Sequence, residues 1–308
     1  MIDSIVPILA AAIAAGTPLV FAALGELVTE KSGVLNLGVE GMMLVGAIAG
    51  FAAASVTGNL WLGALGGMAA GAAMAAIFAV LALNLMANQV ASGLALTLFG
   101  VGLSAFAGKP FESVSLIKEG TFDVPLLSQI PLVGPVLFRQ HVLVYVSWAL
   151  FAGVSWFLYR SRAGLVLRSV GESPESAHAI GYPVIRIRWL ATLFGGAMAG
   201  LGGAHLSEFY APMWVEGMVA GRGWIALALV VFATWRPSRV IVGAYLFGSV
   251  TLAQFQAQAL GVEIPAQYLS MLPYVATIIV LALISRDAAT IKLNAPASLG
   301  RAFHTENF

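Results

Sequence analysis

The hydrophobic pattern of this chain consists of long uncharged stretches separated by short charged segments. The uncharged stretches cover residues 4–25, 41–108, 142–159, 189–207, 240–262 and 264–285. A helix needs about 20 apolar residues to cross the ~30 Å hydrocarbon core of a bilayer. Most of these stretches therefore predict one membrane-spanning helix each. Residues 41–108 have room for three, with breaks near 57–59 and 84–89.

One further apolar stretch, 223–235, has only 13 residues. It must tilt, extend past Arg222, or form half of a broken helix buried in protein. The pattern as a whole predicts an all-α integral membrane protein, a polytopic bundle of nine transmembrane helices, with eight and ten as alternatives. We expect a single transmembrane domain over residues 1–308, with an outer loop at 108–140 and a cytoplasmic loop at 160–188.

Composition agrees with this fold class, because 60% of the residues are hydrophobic and 9% are charged. Soluble domains average about 25% charged residues. The net charge of +1 gives no indication of nucleic-acid binding. The absence of cysteine excludes disulfides and thiolate metal sites. Residues 4–25 lack the charged start and small-residue cleavage site of a signal peptide, so we expect a retained span.

The positions of the basic residues predict the orientation, since short cytoplasmic loops are enriched in lysine and arginine. An outer amino terminus puts eleven of the fifteen basic residues inside, and the carboxyl terminus is then cytoplasmic. The inner set is Lys31, Arg160, Arg162, Arg168, Arg186, Arg188, Arg236, Arg239, Arg286, Lys292 and Arg301. The outer set is Lys109, Lys118, Arg139 and Arg222.

Residues 26–40 place several polar side chains between the first two spans. We expect Glu26, Glu30 and Lys31 to lie in the first inner turn, solvated or paired. Asn36 and Glu40 are four apart and would share one face at the start of the second helix. A carboxylate facing lipid there costs ~2.5 kcal/mol or more. Either Glu40 caps a helix or pairs with an arginine, or Asn36 and Glu40 contribute to an inner gate or solute path.

Small residues four apart let helix backbones approach closely in lipid. That spacing occurs in Gly46/Gly50, Gly63/Gly67/Gly71 and Gly196/Gly200. It favours tight helix packing, with a glycine-lined solute route as the alternative.

The inner loop 160–188 contains the local signals of a short helix. Ser173 is a typical N-cap, Pro174 suits the first helical position and Glu175 lies beside the positive helix end. Gly181 supplies a stop. We expect a helix of about two turns at 174–180, isolated from the core and stabilised by the membrane surface or by a docked partner. The alternative is a basic connector lying on lipid headgroups.

The sequence "ESAHAIG" (175–181) resembles the cytoplasmic loop motif by which permease subunits of ABC importers engage their ATPase. The stretches 30–47, 160–204 and 221–235 extend the resemblance to bacterial nucleoside and simple-sugar permeases. Ser176 departs from the alanine common in such loops. The resemblance implies an ATPase-coupling role for Glu172, Ser173, Pro174, Glu175, Ala177, His178, Gly181 and Tyr182.

The same resemblance implies a multi-pass, non-enzymatic subunit of the bacterial inner membrane that has no cofactor of its own. ATP and Mg²⁺ would be bound by partner ATPase subunits. The expected partners are also a related second permease chain and an extracytoplasmic solute-binding lipoprotein, which would dock near 108–140 and 208–222. The residues agree, because no phosphate-binding loop of the G-x-x-x-x-G-K-[ST] type occurs.

A nucleoside or sugar path needs amides for hydroxyl groups and base edges, together with aromatic walls. The candidates are Asn36, Glu40, Asn88, Gln89, Ser92, Phe99, Gln254, Phe255 and Gln258. Each amide could instead bond one helix to another. A rival function is an ion-coupled secondary carrier, in which Glu40, His205 and Glu208 bind the driving ion. Capping or an interfacial hydrogen bond is the simpler role for His205 and Glu208.

Overall fold

The computed structural model describes residues 2–117, 120–131, 133–259, 264–284 and 294–304. Twelve α-helices and one small antiparallel β-hairpin lie in these ranges. The helices are α1 Ile2–Lys31, α2 Val39–Thr57, α3 Leu60–Ala79, α4 Gln89–Gly108, α5 Val133–Leu137, α6 Val142–Arg160, α7 Arg162–Glu172, α8 Pro174–Ala179, α9 Val184–Ala204, α10 Arg222–Phe232, α11 Pro237–Ala259 and α12 Ala266–Ile284. The predicted all-α polytopic fold is confirmed.

Seven helices in the described ranges are long and apolar enough to cross a membrane, namely α1, α2, α3, α4, α6, α9 and α11. Helices α3 and α9 are extended by π-helical turns at Val80–Asn84 and His205–Tyr210. Helix α12 has 19 residues and α10 only 11. The count of nine crossings and the orientation remain predictions. Lys118, Arg286, Lys292 and the predicted span ends at 262 and 285 lie outside the described residues.

The segment between α4 and α6, predicted to be an outer loop, contains the β-hairpin. Strand β1 (Phe122–Asp123) pairs with β2 (Arg139–Gln140), and α5 lies between them. Asp123 and Arg139 form an ion pair at 3.8 Å. The paired strands therefore hold the two ends of residues 122–140 together.

Helices α2, α3 and α9 cross at their glycines. A Cβ atom added to Gly46 would meet the Cα and carbonyl of Gly200, and one added to Gly71 would meet the carbonyl of Gly196. A Cβ atom on Gly67 would lie 2.9 Å from the carbonyl oxygen of Gly46. Only hydrogen fits between these backbones. Packing, the first of the two interpretations, accounts for these glycines.

The segment 211–221 is irregular and leads into the short helix α10. Trp214 anchors it, because the indole is buried against Ile48 and Phe51 of α2 and over Gly108 of α4. The hydroxyl of Tyr274 in α12 donates to the Ala220 carbonyl at 3.0 Å. Irregular backbone inside a membrane protein is tolerated where other protein encloses it.

Helix α10 itself packs against α1, α2, α11 and α12. Most of its side chains are buried. It matches the expectation of half a broken helix enclosed by protein.

The glycine crossing predicts a sharp difference between two alanine substitutions. Gly200→Ala drives a methyl group into the backbone of Gly67. It should lower the free energy of unfolding in detergent by about 1–3 kcal/mol, the usual cost of overpacking. Gly102→Ala on α4 meets no atom within 4 Å and should leave stability unchanged or slightly raised. Denaturant titration of both purified variants makes the comparison. Equal stabilities would contradict the packing role.

Candidate functional site

The predicted cap of the cytoplasmic helix is present at α8. The Ser173 hydroxyl accepts from the backbone N–H of Ser176 at 3.3 Å and donates to the Ser176 hydroxyl at 2.8 Å. Pro174 occupies the first turn, where a missing N–H leaves no bond unmade. The serine that departs from the common motif is therefore part of the cap.

The predicted stop is present as well. Gly181 has φ +93°, a left-handed conformation that glycine adopts without strain. Its N–H donates to the His178 carbonyl at 2.8 Å, and the Tyr182 N–H donates to the Ala177 carbonyl at 3.0 Å. The helix ends at Ala179, one residue before the predicted end at Ile180.

A second short helix, α7, precedes α8 and was not predicted. The Ser161 hydroxyl caps it by accepting from the Gly164 N–H at 2.9 Å. Serine followed by eleven residues without proline was the signal available in the sequence. The predicted cytoplasmic loop 160–188 therefore contains a pair of helices joined at Ser173.

The expectation that α8 is isolated from the core was wrong. Pro174 and Ala177 are buried, and Ala177 packs in a cluster with Val170, Val184 and Phe303. Phe303 belongs to the carboxyl-terminal segment, residues 294–304, which folds back onto this region. Residues of α7, α9 and the carboxyl-terminal segment therefore support α8, and the two expected stabilisers, the membrane surface and a docked partner, stay predictions.

The eight predicted coupling residues divide into an anchored face and an exposed face. Pro174 and Ala177 point inward, and Ser173 and His178 are partly buried. The exposed set is Glu172, Glu175, Gly181 and Tyr182. Ile180, which was not among the predicted residues, is 73% exposed beside them. An exposed apolar side chain next to a carboxylate is suited to contact with a partner.

Asn36 and Glu40 do not share a helical face, because α2 begins only at Val39. Asn36 lies in the turn before it, where its side-chain oxygen accepts from the Gly38 N–H at 2.9 Å. Its own N–H donates to Glu26 at 3.3 Å. A turn forms here because the Asn36 side chain bonds its own backbone two residues on.

Glu26, Glu30 and Lys31 are not in a solvated turn, because α1 continues through all three. Glu26 and Glu30 are each 1% exposed, and Lys31 is also buried. Glu30 accepts from the Trp235 indole at 2.5 Å, and Lys31 donates to the Asn294 carbonyl at 2.7 Å. Segments distant in sequence therefore cover the end of α1.

Glu40 is a cap, and the helix that it caps is α10. One carboxylate oxygen accepts from the Gly221 N–H at 2.8 Å and the other from the Gly223 N–H at 2.6 Å. These N–H groups lie at the amino end of α10, where unpaired donors and the helix dipole favour a negative charge. Glu40 thus joins the first turn of α2 to the start of the broken helix.

The candidates on α4 lie close to the turn that contains Asn36. The Gln89 side-chain oxygen accepts from the Leu35 N–H at 2.8 Å, and its buried Nε2 has no hydrogen-bond partner among the described residues. Ser92 is buried one turn further along α4. Asn88 is exposed and caps α4 by accepting from the Ala91 N–H at 3.0 Å. The structure therefore brings Asn36, Gln89 and Ser92 to one place.

The remaining path candidates do not join this group. Phe99 faces outward on α4, which packs mainly on α2. Gln254, Phe255 and Gln258 lie on α11, which packs mainly on α1. Gln254 is buried, whereas Phe255 and Gln258 are exposed.

Glu208 and His205 lie in the π-helical turn that ends α9, and both are buried. Glu208 is 0% exposed, and neither of its carboxylate oxygens has a hydrogen-bond partner in the described part of the chain. Its carboxylate lies against Gly50 of α2 and Gly63 of α3. The expected capping or interfacial hydrogen bond is therefore absent for Glu208 within the described residues, and the Nδ1 atom of His205 has no hydrogen-bond partner there either. Gly50 and Gly63 make room for the carboxylate.

Comparison with known proteins identifies the family to which the chain belongs. Residues 8–281 match the model of the branched-chain amino acid transport system / permease component family. The chain belongs to this permease family. The permease is a multi-pass protein of the inner membrane, as the sequence predicts, and its relatives include nucleoside and sugar ABC permeases.

Three relatives cover most of the permease. A candidate glucose ABC transporter permease protein of Haloferax volcanii is 44% identical over 97% of this chain and 98% of its own length. A nucleoside ABC transporter permease protein of Lactococcus lactis is 36% identical, with 87% and 88% covered. A guanosine ABC transporter permease protein of Bacillus subtilis is 32% identical, with 86% and 88% covered. No solved structure matches the chain.

The capping role of Glu40 predicts a graded loss of stability. Glu40→Ala leaves the N–H groups of Gly221 and Gly223 without their acceptors and should cost about 1–3 kcal/mol of unfolding free energy. Glu40→Gln keeps one acceptor oxygen and should cost less. Denaturant titration and the rate of proteolysis within 211–221 measure both effects. A Glu40→Ala protein as stable and as resistant as the wild type would contradict the assignment.

Proposed function

We propose that the chain is the permease subunit of an ATP-driven importer and that its ATPase subunits dock on the 172–183 loop. The observation that carries this proposal is the two-sided character of α8. Pro174 and Ala177 fix the helix to the bundle, while Glu175, Ile180 and Tyr182 remain exposed. A helix anchored on one face can pass a push from a partner to the helices behind it.

The permease would be non-catalytic, with ATP and Mg²⁺ bound by the partner ATPase. Closure of the ATPase subunits would move α8 as a rigid body together with α7 and the start of α9. Such a movement tilts the attached helices and changes which side of the membrane the path opens to. Alternating access is the form of transport that this arrangement supports.

The solute class that we propose is a nucleoside or simple sugar. The names of the three relatives, which refer to glucose, nucleosides and guanosine, support it. Such uncharged solutes need hydrogen-bond donors and acceptors in an apolar path. The buried Nε2 group of Gln89 is a donor suited to a hydroxyl or base edge, since no described residue accepts from it.

A related second permease chain would complete the path, as a heterodimer. Exposed apolar side chains on α4 and α12 support this, because they provide a surface for a second helical subunit; they include Leu98, Phe99, Phe106, Tyr268 and Ile278. An extracytoplasmic solute-binding lipoprotein would dock on the outer loop 108–140 and on 211–222.

An ion-coupled secondary carrier is a second candidate, favoured by the buried carboxylate of Glu208, for which the described part of the chain offers no hydrogen-bond partner. Uptake into vesicles that contain the complete complex separates the two functions. For an importer, uptake requires ATP and continues when an uncoupler collapses the ion gradient. For a carrier, the uncoupler alone stops uptake, and Glu208→Gln abolishes it. We expect ATP dependence and a Glu208→Gln variant that still transports.

The docking surface gives a direct prediction about assembly. Ile180→Asp puts a charge on the exposed apolar contact, and Glu175→Ala removes its acidic neighbour. Gly181→Ala strains the left-handed stop of α8. All three variants should insert in the membrane but lose co-purification with the ATPase.

Glu112→Ala is the matched control for these variants, because Glu112 is an exposed carboxylate on the predicted outer side. It should leave co-purification unchanged. Unchanged co-purification of Ile180→Asp and Glu175→Ala would remove α8 from the docking surface.

A further inference from the structure

Arg188, in the second turn of α9, is 1% exposed and is surrounded by backbone and hydroxyl oxygens. Its Nε donates to the Ser32 carbonyl at 3.1 Å, beyond the end of α1. Its Nη1 donates to the Arg301 carbonyl at 3.1 Å, and its Nη2 to the Ser298 hydroxyl at 3.0 Å. One planar guanidinium therefore joins α9, the turn after α1 and the carboxyl-terminal segment.

The carboxyl-terminal segment makes further bonds to the same two regions. Both the N–H and the hydroxyl of Ser298 donate to the Gly171 carbonyl in α7, at 3.0 and 2.7 Å. The Gly300 N–H donates to the Gly33 carbonyl at 3.1 Å. The segment thus bonds to the last turn of α7 on one side and to the turn after α1 on the other.

The turn after α1, the end of α7 and the carboxyl-terminal segment pack closely together. Gly33 has φ +89°, and a Cβ atom there would meet the Ser298 hydroxyl and the Arg188 guanidinium. A Cβ atom on Gly171 would meet the Lys31 carbonyl. Phe303 completes the contact by packing its ring 5.6 Å from that of His178 in α8. Glycines that allow such close approach make the three segments move together.

We propose that the carboxyl-terminal segment, held by Arg188, positions α8 against the end of α1 and transmits the displacement of α8 to the turn that contains Asn36. The proposal rests on the proposed function, since it assumes that the ATPase pushes on α8. A helix of six residues does not hold its place alone. The segment supplies the missing support through Phe303, and Arg188 and Ser298 carry the movement to Ser32 and Gly33.

The guanidinium is suited to this role because its donors form a rigid fork, so three oxygens are fixed relative to one another. Loss of the segment's contacts would leave α8 able to bind its partner but free to move without α1. ATP would then be hydrolysed without a matching opening of the path. Arg188 and Ser298 are therefore positioning residues for coupling, with no contact to the ATPase required.

The test uses the full complex in proteoliposomes, with ATP hydrolysis and solute uptake measured in the same sample. Ser298→Ala removes the hydroxyl that bonds both Arg188 and Gly171, and Phe303→Ala removes the contact with α8. Both variants should keep co-purification with the ATPase, and the ATP hydrolysed per solute imported should rise several-fold. Arg188→Gln should show the same change more strongly.

The matched control is Arg301→Gln, which also removes one positive charge from the predicted cytoplasmic side. The Arg301 side chain is exposed, and the residue bonds Arg188 only through its backbone carbonyl, which the substitution keeps. The ATP hydrolysed per solute imported by this variant should equal that of the wild type. If Arg188→Gln fails to insert, the milder Ser298→Ala and Phe303→Ala variants decide the matter. If both variants hydrolyse as much ATP per solute imported as the wild type, the proposal is overturned. Failure of the wild-type chain to capture any ATPase would instead overturn the proposed function, a result separate from these ratios.

Discussion

The backbone contact among the glycines of α2, α3 and α9 is the constraint on which the arrangement of the bundle depends. In lipid the hydrophobic effect does not drive helix association, so helices associate largely through close van der Waals packing. Gly46, Gly71 and Gly200 let the three backbones touch. The same crossing sets the spacing that admits the Glu208 carboxylate between Gly50 and Gly63. A different part of α2, which carries Ile48 and Phe51, anchors Trp214 of the irregular segment before α10.

Backbone groups, rather than opposite charges, satisfy several of the buried charged side chains. Glu40 accepts from two N–H groups at the start of α10, and Arg188 donates to two carbonyls and a hydroxyl. The ion pair between Asp123 and Arg139 lies between α4 and α6, and the side chains of both residues are exposed. Backbone groups are fixed by their segments, so Glu40 and Arg188 each tie one stretch of chain to another. The charges of this apolar chain thus hold the irregular segments in place.

Much of the fold followed from local sequence signals. Uncharged stretches of sufficient length indicated the long helices, and Ser173, Pro174 and Gly181 indicated the start and stop of α8. The failures share one cause. Glu26 and Glu30 were predicted to lie in an inner turn, solvated or paired, yet both are in α1, and Trp235, far away in the chain, bonds Glu30. Asn36 and Glu40 were placed on one helix by spacing, although the turn at Asn36 separates them.

At the candidate site, too, some features followed from the sequence and others depended on contacts between distant segments. Sequence was enough for the span lengths, the helix caps and the membership of a transporter family, since these depend on composition and on neighbours a few residues apart. Tertiary structure was needed to pair Glu40 with Gly221, Arg188 with Ser298, and Phe303 with α8, and to separate the glutamines of α11 from the group near Asn36. The partners in these contacts are more than 100 residues apart. Some partners, such as the Gly221 N–H, are backbone groups, which every residue carries, so no pattern along the chain marks them.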